Sequence, residues 1–222
     1  MKQHQKLILA SASPRRKELL GNMGLEFTIQ PSDIAEVGFE GVPEEIPSRI
    51  VIEKMKAAKS SYHLVAPLAR RSLFSGIVLT TTDGEDGSGY VGQNPYFLAA
   101  DTIVALDQDV YGKPENQEHA RSMLATLSGK THQVYTCFRI ENFEGDYIEK
   151  TIRTDVQMRT ISKEMLQWYL DTKEPFDKAG GYAIQGFGSV LVESIQGSYT
   201  NVVGLPLAEV VDGLAELKVI SF

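Results

Sequence analysis

The sequence predicts an α/β domain, and three observations carry that expectation. Helical and extended patterns alternate along the chain, as they do where helices cover a sheet. With 222 residues, 42% of them hydrophobic and 23% charged, the chain can bury a substantial core and is too apolar to stay disordered. It has no internal repeat, and no stretch approaches the roughly eighteen apolar residues of a membrane span. The best candidate, 205–211, contains Pro206 and Glu209.

Residues 6–11 read as a buried strand. A helix follows from Pro14 to about Met23, with Ser13 as its side-chain cap and Gly24 as its stop. Proline suits the first turn because its missing N–H has no helical partner there. Residues 47–61 form a second helix. Residues 96–106 make a central strand, 115–127 a helix and 131–143 another strand. Residues 146–160 pair with that strand as a hairpin, because 142–146 is polar and carries Gly145. A helix spans 162–172, two short strands fall within 182–195, and 205–217 is the last helix. The segment 67–95 stands apart, with a polar, glycine-rich run from Asp83 to Gly89. It reads as a long surface loop or a small excursion hairpin inserted into one domain that spans 1–222.

Twenty-two Lys and Arg stand against 29 Asp and Glu, a net charge of −7. Such a chain has no global attraction for nucleic-acid polymer or anionic lipid, so a phosphate ligand needs a local cluster of cations. The apolar piece 7–10 is too short for a signal-peptide core. With Cys137 as the single cysteine no internal disulfide forms, and a reducing cytoplasm is the expected compartment.

Three tempting motifs fail on context. The run 87–92 matches G-x-G-x-x-G, but Asn94-Pro95 follows it and prevents a phosphate-binding helix from opening there. Gly129-Lys130-Thr131 imitates the end of a Walker A loop, yet Leu124 occupies the first glycine position. The acids between 83 and 86 are too few for a calcium loop, and the four histidines lack zinc-ligand spacing.

Charges on faces that should be apolar are more informative. In the first helix Leu19, Leu20 and Met23 mark the buried stripe, and one turn back along it stand Arg15 and Arg16. With Ser11 and Ser13 just before them, an anion site at the helix start is the better reading than two snorkelling arginines. In the second helix Lys54 falls between Ile50 and Ala57, whereas Lys56 and Lys59 are expected to face solvent. Asp101 lies inside an apolar strand, where a carboxylate is costly unless paired or metal-bound. Lys113 occupies a tight turn, and 174–186 gathers acids, Lys178, Gly180, Gly181 and the amide of Gln185. Cations around a carboxylate, with a base-sized polar reader nearby, suit a mononucleotide polyphosphate bound through a divalent metal.

Six blocks now resemble a known family in order and spacing. They are Ser11-Ala12-Ser13-Pro14-Arg15-Arg16, Ala99-Ala100-Asp101-Thr102, Gly112-Lys113-Pro114, the run 128–136, the run 177–186, and Gly197-Ser198-Tyr199 with Gly204-Leu205-Pro206-Leu207. Together they resemble the Maf family of nucleoside triphosphate pyrophosphatases over nearly the whole chain. The resemblance implies an elongated mixed sheet flanked by helices, with two lobes around a central cleft, like the inosine triphosphate pyrophosphatase fold. It implies hydrolysis of a nucleoside triphosphate to monophosphate and pyrophosphate with Mg²⁺ or Mn²⁺, by a homodimer. The form of 179–186 looks like the branch acting on dTTP, UTP and modified uridine triphosphates. By that matching Asp101 is the proton acceptor or a metal ligand, with Glu36 a second metal partner. Arg15, Thr102 and Gln185 help choose the base, and Arg16, Lys54, Lys113 and Lys178 contact phosphates. Met55, Ala99 and the length of 67–95 depart from the family pattern. The same reaction on 7-methyl-GTP or inosine triphosphate is the alternative within enzymes. A non-catalytic nucleotide sensor or cell-division protein is the alternative outside them.

Overall fold

The computed structural model describes residues 1–32, 34, 40–72 and 94–222, with the backbone alone for 63–72. Its centre is a mixed sheet. Strand β2 (Leu7–Leu9) lies parallel to β3 (Phe27–Ile29) and to the long β4 (Tyr96–Leu106). Antiparallel pairing continues from β4 to β6 (Thr131–Glu141), β7 (Tyr147–Met158) and β8 (Val192–Gln196), with β5 (Asp109–Tyr111) folded back on the end of β4. A two-stranded ribbon of β1 (Lys2–Gln3) and β9 (Ile220–Ser221) joins the termini. The parallel pairs require crossovers, and helices supply them: α1 (Pro14–Asn22) between β2 and β3, and α2 (Ile46–Ser72) ahead of β4.

One detail of pairing positions everything that follows. On one edge β4 pairs with β6 from Phe97 to Ala105. On the other edge it meets β2 at 96–98 and β5 at 104–106. Between those contacts that edge has no strand partner among the described residues. Ligand crevices in open α/β sheets form where neighbouring chains part at the carboxyl ends of strands.

Period-two alternation then sorts the side chains. On one face Phe97 and Ala99 pack with Val51, Met55 and Ala58 of α2, and Ile103 and Ala105 pack with Ile46 and Ile50. On the other face Leu98 and Ala100 join Leu19 and Leu20 of α1 and Val210 and Leu214 of α6 (Leu207–Glu216). Further along, Val104 and Leu106 join Leu124 of α3 (Gln117–Leu127) and Leu170 of α4 (Lys163–Asp171). Each large side chain so buried contributes about 2 kcal/mol. Asp101 and Thr102 sit at the break between clusters, one on each face, so a polar row crosses the waist of an otherwise apolar sheet.

Several expectations need correction. Ser13 gives α1 no side-chain cap; its N–H donates instead to Ser11 Oγ at 3.2 Å. Helix α2 runs on to Ser72, past Pro67, so the expected loop begins as helix; the flanking leucines, alanines and arginines are good helix formers and carry the turn over the proline. Only one strand, β8, lies within 182–195, because 186–191 winds into a 3-10 turn starting at Gly186 with φ +68. Lys59 is half-buried in an ion pair with Glu141 rather than solvated. A short helix α5 (Tyr199–Val203) precedes α6. Residues 73–93, including the 87–92 glycine run, and Glu36 lie outside the described residues. No described helix is long and apolar enough to cross a membrane.

Candidate active site

Asp101 faces α2 from the middle of β4, between buried Ala99 and Ile103. Lys54 of α2 reaches it with Nζ 2.5 Å from Oδ1, the two side chains being 20% and 16% exposed. The ion pair offsets the cost of placing a carboxylate this deep. Burial lowers the pKa of Lys54; Asp101 opposes that shift, and the charges of Arg16 and Lys113 add to it.

Thr102, the next residue, points to the opposite face, where Arg16 is buried. Arg16 donates from Nε to the Gly204 carbonyl at 2.8 Å, from Nη1 to Ser11 Oγ at 3.1 Å and from Nη2 to Thr102 Oγ1 at 3.1 Å. Behind Thr102, Thr136 Oγ1 donates to the Asn201 carbonyl at 3.0 Å, and the two threonine oxygens lie 2.9 Å apart. Thr136 has a single proton and spends it on Asn201, so Thr102 donates to Thr136. The result is a directed series from guanidinium to hydroxyl to hydroxyl to carbonyl. It uses three of the five N–H groups of Arg16 and leaves two for the cleft. Desolvation lowers the pKa of Arg16, with Asp101 opposing and Arg15 reinforcing the shift.

The third wall follows α4. Lys178 Nζ donates to the Glu174 carbonyl at 2.9 Å and to Asp177 Oδ1 at 2.5 Å. Asp177 Oδ2 also faces Arg15 at 3.9 Å, which ties the start of α1 to this wall. Burial pushes the Asp177 carboxyl up, but Lys178 and Arg15 outweigh it and hold the group below its ordinary value. Lys113 is exposed in the turn after β5, and that turn is anchored by the Gly180 N–H donating to the Gly112 carbonyl at 3.0 Å. Gly180 has φ +69, and a Cβ there would stand 3.0 Å from Val104, so only glycine permits this approach.

These walls enclose a cleft of about 490 Å³ lined by Ser11, Ser13, Arg15, Arg16, Lys54, Asp101, Thr102, Lys113, Lys178 and Gln185. Every described residue expected to contact substrate or metal therefore borders one space. Asp177 lines it too, so among the described residues five cations stand against two carboxylates, in a chain of net charge −7. That is a local trap for a polyanion. Among the described residues no three His, Cys, Asp or Glu gather as a metal cage. The donor set fits a hard divalent ion in the other way open to Mg²⁺, through one carboxylate, Asp101, together with ligand oxygens and water.

The family model described as Maf-like protein matches residues 6–217. This chain belongs to the Maf-like family. It is 39% identical to the dTTP/UTP pyrophosphatase of Desulforamulus reducens over 94% of each chain. It is 42% identical to the dTTP/UTP pyrophosphatase of Citrifermentans bemidjiense, over 94% of this chain and 93% of that one. A solved Nucleoside-triphosphatase / dITP/XTP pyrophosphatase from Mycobacterium abscessus aligns over 97% of both chains at 11% identity, with a TM-score of 0.37.

Of four residues that support this Maf-like site, Thr136 and Asn201 had no role expected from the sequence, while Asp177 and Glu174 stood there only as the acids of 174–186. Thr136 and Asn201 support Thr102, Asp177 bridges Arg15 and Lys178, and Glu174 braces the wall beyond. A signal for Thr136 existed: it is a hydroxyl between Val134 and Phe138 on an apolar strand face. Asn201 gave none, because its partners Val134 and Thr154 are distant in sequence.

Proposed function

We propose that this Maf-like protein hydrolyses nucleoside triphosphates, dTTP and UTP first among them, to the nucleoside monophosphate and pyrophosphate. The observation that carries this reading is the cleft itself, in which five cations surround a half-buried carboxylate. The named activity of the relatives supports it independently.

In this reaction a water oxygen bonds to the α-phosphorus, the bond from that phosphorus to the bridging oxygen breaks, and pyrophosphate leaves. Asp101 orients the water and takes its proton, or else holds the metal; both roles suit a carboxylate that lines the cleft beside Lys54. Lys54, Lys113, Lys178 and the spare N–H groups of Arg16 neutralise the phosphate tail, with the hydroxyls of Ser11 and Ser13 at the helix start. Arg15 and Gln185 read the base, and Thr102 acts on the ligand through Arg16, since its own proton is committed to Thr136. Mg²⁺ or Mn²⁺, when bound, neutralises oxygen charge and polarises the phosphoryl group. Asp101 is its proposed holder and Glu36 a proposed second one.

The test is to incubate the protein and Mg²⁺ with dTTP, UTP, CTP, inosine triphosphate and 7-methyl-GTP and to identify the products. Monophosphate and pyrophosphate, formed fastest from dTTP and UTP, are expected. Diphosphate and orthophosphate would place the cut at the wrong anhydride, and binding without turnover would favour a nucleotide sensor. The family resemblance also supports a cytoplasmic homodimer, which a solution mass equal to one chain would overturn.

A further inference from the structure

Glu174 does not line the cleft, yet it touches two parts of the wall that do. Its carboxylate lies at the start of the 3-10 turn Gly186–Leu191, whose preceding residue is Gln185. Oε2 accepts from the Phe187 N–H at 3.0 Å, and Oε1 accepts from the Gly188 N–H at 2.9 Å and from the Tyr169 hydroxyl at 3.1 Å. Its carbonyl oxygen accepts from Lys178 Nζ at 2.9 Å. The fit is close on every side. A Cβ on Gly186 would stand 2.5 Å from Glu174 Oε2, and one on Gly188 would stand 2.4 Å from the Ala183 carbonyl and 2.8 Å from the Tyr169 hydroxyl. The segment 183–188 is thus moulded on one carboxylate and one phenol.

We infer that Glu174 is a positioning residue that sets Gln185 for base selection while its main chain holds Lys178 for the phosphates. The inference rests on the pyrophosphatase reading above and adds the device that links its two binding functions. A carboxylate is needed because two backbone N–H groups and a hydroxyl converge on it. A glutamine side chain has one acceptor oxygen and would turn an N–H₂ group toward an N–H donor.

The experiment compares wild type, Glu174→Gln and Glu174→Asp in kcat and KM for dTTP and dGTP, together with backbone hydrogen exchange. In Glu174→Gln the preference for dTTP over dGTP is expected to shrink about tenfold, mostly through KM for dTTP. Exchange across 184–190 is expected to quicken while that of α4 stays unchanged. Glu174→Asp keeps both oxygens and is expected to recover part of the preference. Equal loss on both nucleotides, or no change in preference, would reduce Glu174 to a structural cap and overturn the inference. Should Glu174→Gln not fold, an undiminished preference in Glu174→Asp overturns it as well. A wild type without dTTP preference would instead defeat the pyrimidine reading, and slow exchange of Phe187 and Gly188 in Glu174→Gln would then defeat the Glu174 contacts separately.

Discussion

Lys54 and Lys59 stand on the same helix, and each reaches a carboxylate on the sheet, but their surroundings are opposite in kind. Lys59 Nζ lies 2.6 Å from both Glu141 Oε1 and the Asn142 carbonyl. Glu141 also takes Arg139, Arg139 takes Glu149 at 2.9 Å, and Ser48 closes the set on Glu149 at 2.6 Å. Two cations meet two acids, and burial of Glu141 is outweighed by Lys59 and Arg139, which hold its carboxyl below the ordinary value. Around Lys54, among the described residues, the cations outnumber the acids. A balanced network satisfies itself and acts as a clamp between helix and sheet. An excess of cations among the described residues favours an anion from outside.

The comparison is sharpest at its acids. Asp101→Asn is expected to lower turnover by about 10²–10⁴-fold while nucleotide affinity is largely kept, as read by pyrophosphate release and calorimetry. Near-wild-type turnover would remove Asp101 from the chemistry. The lysines should then part company. Lys54→Met is expected to lower kcat/KM by about 10–100-fold. Lys59→Met is expected to leave kcat/KM unchanged and to lower stability. If both variants lose activity alike, the distinction between the two networks fails.

Glu141→Gln tests the clamp from the other side. Breaking a buried network costs several kcal/mol, and these side chains keep some contact with water, so a loss of about 2 kcal/mol is expected in urea unfolding. The smallest effect concerns a group held neutral with no ionic partner. Burial drives the His132 imidazole down from 6.5 to about 4, against the opposing charge of Asp155. Its Nε2 lies 2.7 Å from the Tyr182 hydroxyl. Because the folded value is depressed, the unfolded chain binds more protons below its own value of about 6.5. Stability from this group is therefore present above that pH and lost as pH falls toward 4, at about 1 kcal/mol between pH 6 and pH 5. His132→Gln should flatten that slope in unfolding curves taken across the same range.

Much of this was legible before any coordinates. The central strand 96–106, the hairpin of β6 and β7 and the start of α1 at Pro14 follow from period, turn residues and proline placement, all of which act over a few neighbours. The depth of Lys54 followed from a cation on an apolar stripe, and that of Asp101 from an acid in an apolar strand. Lys59 lies off that stripe and carried no local mark of its partner, since Glu141 lies 82 residues away. The extension of α2 was hidden by Pro67, and the 3-10 turn after Gln185 by a contact with Glu174 that no period records.

The residue types and their order alone determined that cations, one strand carboxylate and a glycine-flanked amide had to be accommodated in an acidic α/β chain. Tertiary structure decided that they share a space, because one edge of β4 has no strand partner between β2 and β5 among the described residues, and that gap is a property of pairing register. It also decided which charges stay unanswered. Local sequence sets the side chain and its face, whereas the balance of charge around it depends on which distant residues the sheet brings within a few ångströms.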